Sequence, residues 1–132
     1  MKYILDTDIC IFWLKGNRNI ELKIEEYGVT NIFVTIITAC ELYFGAYNSQ
    51  RRDENIQTLK DLFNIINIIQ TIPEIARIFG ENKIHLKAHG NIINDADILI
   101  ASFVFANNGN LVTHNIAQFK RIPDLKMEYW LS

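Results

Sequence analysis

The chain has 132 residues, 49% of them hydrophobic, and a formal charge of −2. That is the length of one domain with apolar side chains enough for a substantial core, and its slightly acidic balance counts against a protein that simply coats DNA. No apolar run approaches the roughly 20 residues of a membrane span, and Asp6 and Asp8 break the N-terminal apolar stretch that a signal peptide needs, so a soluble, cytoplasmic protein is expected.

KYILD (2–6) reads as a short buried strand, β-branched and apolar, ending at a polar break. Thr7 or Asp8 then caps a helix whose Ile9, Phe12 and Trp13 face the core, ended by Lys15-Gly16-Asn17. A second helix is predicted over Arg18–Tyr27, stopped by Gly28. IFVT (32–35) is a second strand, and the following helix sets Ile36, Ala39, Cys40, Tyr43 and Phe44 at core spacing. An amphipathic helix follows over Arg51–Asn64, then a third strand over IINIIQTI (65–72). A long helix is predicted from Pro73, well placed in a first turn, to His89. DADILIASFVFANNG (95–109) is a helix capped by Asn94 or Asp95 and closed by Asn-Asn-Gly. LVTH (111–114) is a fourth strand, Ile116–Lys120 a short helix, and LKMEYW (125–130) a last strand.

Strands alternate with helices throughout, and no repeat or Pro/Gly-rich linker divides the chain. The expected fold class is α/β: three layers, α/β/α, around a short, mainly parallel sheet of four to five strands, in a single domain over 1–132. The two cysteines, Cys10 and Cys40, are too few for a disulfide framework and read as free core thiols.

In open parallel sheets the working crevice lies beyond the carboxyl ends of the strands. Asp6 and Asp8 follow the first strand, Glu41 lies on the helix after the second, and Asp95 and Asp97 open the helix at 95–109. Thr113, His114 and Asn115 lie at or just past the end of the fourth strand. Carboxylates gathered there would repel one another and raise one another's pKa values. A hard divalent ion relieves that repulsion, and oxygen-only ligands select Mg²⁺ or Mn²⁺. Each acid also has a structural reading. Asp8 and Asp95 stand where helix N-caps belong, and Asp97 suits the positive end of a helix dipole. Asp6 and Glu41, set in apolar surroundings, demand a partner or a ligand. Spacing alone leaves both readings open.

Three stretches together, YILDTDICIFWLKG, VTIITACELYFGAY and NDADILIASFVFANNGNLVTHNIAQFKRIPDLKMEYW, resemble the PIN-domain ribonucleases. Within these, the chain resembles the VapC-like toxins of toxin–antitoxin pairs. The resemblance implies that Asp6, Glu41 and Asp97 bind metal and carry catalysis, with Asp95 a secondary ligand. It places Thr7, Thr113 and Asn115 in the site. It implies a Mg²⁺-dependent endoribonuclease, with Mn²⁺ as the alternative ion, that cuts tRNA or rRNA loops and leaves a 5′-phosphate and a 3′-hydroxyl. The implied partners are a small VapB-like antitoxin and a second copy of the chain, in a homodimer, a heterotetramer or a larger assembly. Asp8 stands where the family commonly has Asn, and Asn115 where members carry Asp or Asn. With Asn at 115 the second metal position loses charge, so one well-held ion is the expectation. The rival readings are a PIN ribonuclease of RNA processing and a catalytically silent PIN-like binding module.

The basic pair Lys120-Arg121 follows the fourth strand and is the better placed of two such pairs to meet an RNA backbone. His85 and His89 sit four apart on a predicted helix without a third ligand, and read as a solvated face.

Overall fold

A computed structural model, describing residues 1–132, places the first apolar segment at the centre of a sheet as strand β1, Tyr3–Leu5. Successive side chains of a strand point to opposite faces. Accordingly Tyr3 and Leu5 enter one core and Ile4 the other. The split recurs in β2 (Ile32–Val34), where Ile32 and Val34 take one side and Phe33 the other, and in β4 (Asn110–Val112), where Leu111 and Val112 part company. Two short strands, β3 (Asn67–Ile68) and β5 (Met127–Glu128), close the edges. The order is β3-β2-β1-β4-β5 and every pairing is parallel.

Helices cover both faces, as a sheet buried on two sides requires. α1 (Thr7–Leu14), α2 (Arg18–Tyr27) and α4 (Arg52–Ile65) build the first core; α5 (Glu74–Ala88), α6 (Asp95–Ala106) and α7 (Ile116–Phe119) build the second. α3 (Ile36–Tyr47) serves both, with Leu42 and Ala46 in the first and Ile37 against the second. The expected three-layer α/β/α arrangement forms, with five strands. The chain's end is tied back to its start: Trp130 lies 5.6 Å from Tyr3 and 5.7 Å from Tyr27, and the two tyrosine rings stack at 4.2 Å.

The structure differs from the sequence reading at several places, and the last strand, expected over 125–130, forms only at Met127–Glu128. The predicted strand over 65–72 shrinks to Asn67–Ile68, because α4 runs on to Ile65 and the edge strand has only β2 to pair with. Ile36, Cys40 and Phe44 do not face the core; Phe44 is 70% exposed, and Thr38, Ala39, Leu42 and Ala46 are the buried residues of α3. The cap of α1 is Asp6, rather than Thr7 or Asp8. In Asn-Asn-Gly it is Asn108 that takes the left-handed conformation, at φ 50°. Gly109 is there for space: a Cβ would stand 2.9 Å from Ile4 Cδ1 and 3.2 Å from the Lys2 carbonyl oxygen.

Candidate active site

The chain lays down β1, β2 and β3 toward one edge, then returns to put β4 on the other side of β1. Open α/β sheets bind ligands where the order reverses in this way. Asp6 and Thr113 are the first residues beyond β1 and β4, and the parallel register sets them side by side. The Thr113 hydroxyl donates to Asp6 Oδ2 at 2.9 Å, and the Thr7 backbone N–H donates to Asp6 Oδ1 at 2.9 Å. Asp6 therefore caps α1 and faces the crevice at once. It is only 7% exposed. Burial pushes its carboxyl up to about 6, the charges of Asp97 and Asp8 add to the rise, and the two hydrogen bonds oppose it.

Glu41 reaches the same place from α3, whose first turn is fixed by Thr35 capping the Thr38 N–H at 3.1 Å. Glu41 Oε1 accepts from the Thr7 hydroxyl at 2.7 Å, and that hydroxyl also stands 3.1 Å from the Thr38 hydroxyl. Asp97 comes from α6. Asn94 caps that helix by accepting from the Asp97 N–H at 2.9 Å, and its amide donates back to Asp97 Oδ2 at 3.1 Å. The Gln118 amide of α7 donates to the same oxygen. Burial raises the Asp97 carboxyl; the two amides lower it, while the charges of Glu41 and Asp8 push it up.

Asp6, Thr7, Asp8, Glu41, Asp97 and Asn115 line one crevice of about 150 Å³ with no hydrophobic residue in its wall. The donor set is all oxygen, which suits a hard divalent cation. As they stand, no three acids form a group that would hold one ion; Asp6, Glu41 and Asp97 are each held by hydroxyl or amide donors. These bonds leave lone pairs on the carboxylates, which accept at about four sites each. Coordination therefore asks for side-chain rotation about a fixed backbone.

Other candidates fall elsewhere. Asp95, expected as a secondary ligand, pairs with Lys83 of α5 at 2.9 Å and is not in the crevice wall. Two residues apart on a helix is the opposite face from Asp97. Thr113 is fully buried, so it holds Asp6 and touches no substrate. Its hydroxyl also accepts from the Asn115 N–H at 2.9 Å, which sets Asn115 at the rim. Lys120 and Arg121 are exposed at the end of α7, outside the crevice wall. The rings of His85 and His89 lie 4.1 Å apart, tilted, at the C-terminal end of α5 and away from the crevice wall. Sequence reasoning missed Gln118, although it falls one turn after Asn115 on a helix predicted at 116–120.

A parallel sheet whose switch point opens into an acid crevice defines an α/β domain with an oxygen-lined site beyond its strand ends. The chain belongs to the PIN-domain family, whose model matches residues 3–125. PIN-domain ribonucleases depend on divalent metal ions. Ribonuclease VapC2 of Rickettsia felis is 34% identical to this chain over 98% of both sequences. The tRNA(fMet)-specific endonuclease VapC of Salmonella typhimurium is 25% identical, again over 98% of both. The crystal structure of VapBC2 from Rickettsia felis bound to a DNA fragment from its promoter contains a chain that superposes with a TM-score of 0.92, covering 98% of this chain and 99% of that one.

Proposed function

We propose that the chain, one PIN domain over residues 1–132, is a divalent-cation-dependent endoribonuclease toxin restrained by a small VapB-like antitoxin. The observation that carries this reading is the meeting of Asp6, Glu41 and Asp97, from three distant parts of the chain, in one crevice at the switch point of a PIN fold. The names and complexes of its relatives support both the RNA substrate and the antitoxin. The tRNA(fMet) specificity of one relative favours a structured RNA target, a tRNA or rRNA loop. The proposal includes a homodimer that joins its antitoxin in a heterotetramer or larger assembly.

Asp6, Glu41 and Asp97 would hold Mg²⁺ or Mn²⁺. A divalent cation held there supplies the Lewis acidity that phosphodiester hydrolysis needs. Thr113 and Thr7 aim the Asp6 and Glu41 carboxylates, and Asn94 with Gln118 aims Asp97. Asn115 offers an uncharged amide to the phosphate where an acid would repel it. Water adds to phosphorus in line, the P–O3′ bond breaks, and the products end in a 5′-phosphate and a 3′-hydroxyl. Lys120 and Arg121 meet flanking phosphates from outside the crevice. With its carboxyl at about 6, Asp6 ionises fully only above that pH, so cation binding and cleavage rise between about pH 5 and 7.

The neutral Asn115 favours a second reading, a silent PIN-like module that binds RNA without cutting it. One assay separates the two. Purified protein with RNA and Mn²⁺ or Mg²⁺ is expected to yield fragments with 5′-phosphates, and EDTA to stop the reaction. Binding of RNA without fragments under every cation would establish the silent module.

A further inference from the structure

A crevice of about 150 Å³ admits a phosphate group and is far too small for a whole nucleotide. The base beside the cut phosphate must therefore rest on the rim. One side of the rim is a groove lined by Ile11, Leu14, Leu42 and Leu59, which shares Glu41 with the crevice. Its apolar side chains are aliphatic and offer no π-face. Beside the crevice runs a row of three rings, from α1 and from the segments that follow β4 and β5. Phe12 lies one helical turn past Asp8 on the same face of α1. Its ring meets that of His114 edge-on at 5.9 Å, and His114 meets Tyr129 at 6.5 Å. His114 sits between Thr113, which holds Asp6, and Asn115, which lines the crevice. His114 is exposed and Tyr129 is 47% exposed, unlike the enclosed Trp130 next to it.

We propose that Phe12, His114 and Tyr129 form a stacking site for one unpaired nucleobase of the RNA, adjacent to the phosphate that is cut. The inference rests on the nuclease reading above and adds a subsite to it. Unpaired RNA bases are taken up by stacking on aromatic side chains. Each such base contributes about 1–3 kcal/mol, in a way that tolerates any sequence. The site answers an electrostatic difficulty, since a wall of carboxylates repels the RNA backbone. Stacking supplies attraction that depends on no charge and survives high salt.

The test is steady-state cleavage of a short single-stranded RNA by wild type, His114→Ala, Tyr129→Leu and Tyr129→Phe, in low and high salt. Leu keeps the bulk of the ring and removes its π-face; Phe keeps the face. His114→Ala and Tyr129→Leu are expected to raise KM roughly tenfold at both salt concentrations with kcat within about twofold, and Tyr129→Phe to match wild type. An abasic nucleotide on one side of the cut is expected to raise the wild-type KM by a similar factor and to add nothing further in Tyr129→Leu. Penalties that simply add, or a Tyr129→Leu variant with wild-type KM, would overturn the site. A strand carrying 2-aminopurine, bound in Ca²⁺ and read by fluorescence, separates the two claims. Quenching lost in Tyr129→Leu, with no cleavage by wild type in Mg²⁺ or Mn²⁺, overturns the nuclease and keeps the site. Cleavage with quenching unaltered by Tyr129→Leu overturns the site and keeps the nuclease.

Discussion

Asp6→Asn is expected to abolish RNA cleavage and, in the same molecule, to stabilise the protein measured in EDTA. The loss of activity follows from removing the carboxylate nearest the switch point; losing one transition-state-stabilising group typically costs roughly a hundred- to a thousandfold, and a lost cation ligand belongs at or beyond the upper end. The gain in stability follows from the pKa. The Asp6 carboxyl ionises at about 6 in the fold against 3.8 ordinarily. Between those values the native state holds a proton that the unfolded chain has released, so wild-type stability falls as pH rises through that window. Above pH 6 the whole cost is present, about 3 kcal/mol at most. Asn removes the charge, yet its Nδ2 no longer accepts from Thr113, so a gain of about 2 kcal/mol is expected at pH 7. Thermal melts in EDTA at pH 4 and pH 7 check this: the two proteins should nearly coincide at the lower pH and separate at the higher. A variant that is inactive but no more stable at pH 7 would show that Asp6 is not buried against its own charge.

Trp130→Ala is expected to cost about 3–5 kcal/mol, the range for removing a buried tryptophan. Trp130 is 1% exposed, and its indole N–H donates to Glu128 at 3.2 Å. Its ring closes a stack with Tyr3 and Tyr27, which joins the C-terminal strand to the first strand and to α2. A domain of this size has about 5–15 kcal/mol in all, so the variant is expected to unfold in urea at no more than about four-fifths of the wild-type concentration. The effect reaches function through β1: Tyr3 begins the strand that ends at Asp6. Trp130→Phe, which keeps one stacking ring, is expected to lose less than half as much. Equal losses for Ala and Phe would show that the indole hydrogen bond, and not the aromatic stack, anchors the terminus.

The end of the first strand was legible in the sequence because there an unbroken apolar run meets a carboxylate. That placed Asp6, and the order of elements placed Glu41 and Asp97 near it. Of the two acids at the head of α6, the apolar run behind Asp97 marked it as the inward one and left Asp95 secondary. What was not legible is that Lys83 on a neighbouring helix takes Asp95 away from the crevice and that Gln118 on another holds Asp97 in it. The core face of α3 was misread for a related reason. That helix is apolar nearly all round, so periodicity gives no direction; packing against α4 and the sheet selects Leu42 and Ala46 and leaves Cys40 and Phe44 outside. IINIIQTI carries strand propensity over eight residues, yet one neighbour on an edge pairs with only two of them. Thr113 was read as a substrate contact because the sequence shows a hydroxyl at a strand end and not the parallel partner that buries it.

The central claim is that Asp6, Glu41 and Asp97 act as one cation site once their side chains turn toward each other. Titration calorimetry with Mn²⁺ tests it most directly, on wild type and on Asp6→Asn, Glu41→Gln, Asp97→Asn and the Asp6→Asn/Asp97→Asn pair. Each single substitution is expected to weaken binding roughly tenfold or more, and the pair to cost less than the two losses together, as ligands of one ion do. Binding that persists at wild-type strength after any of the three carboxylates is removed, or additive losses from the pair, would contradict it.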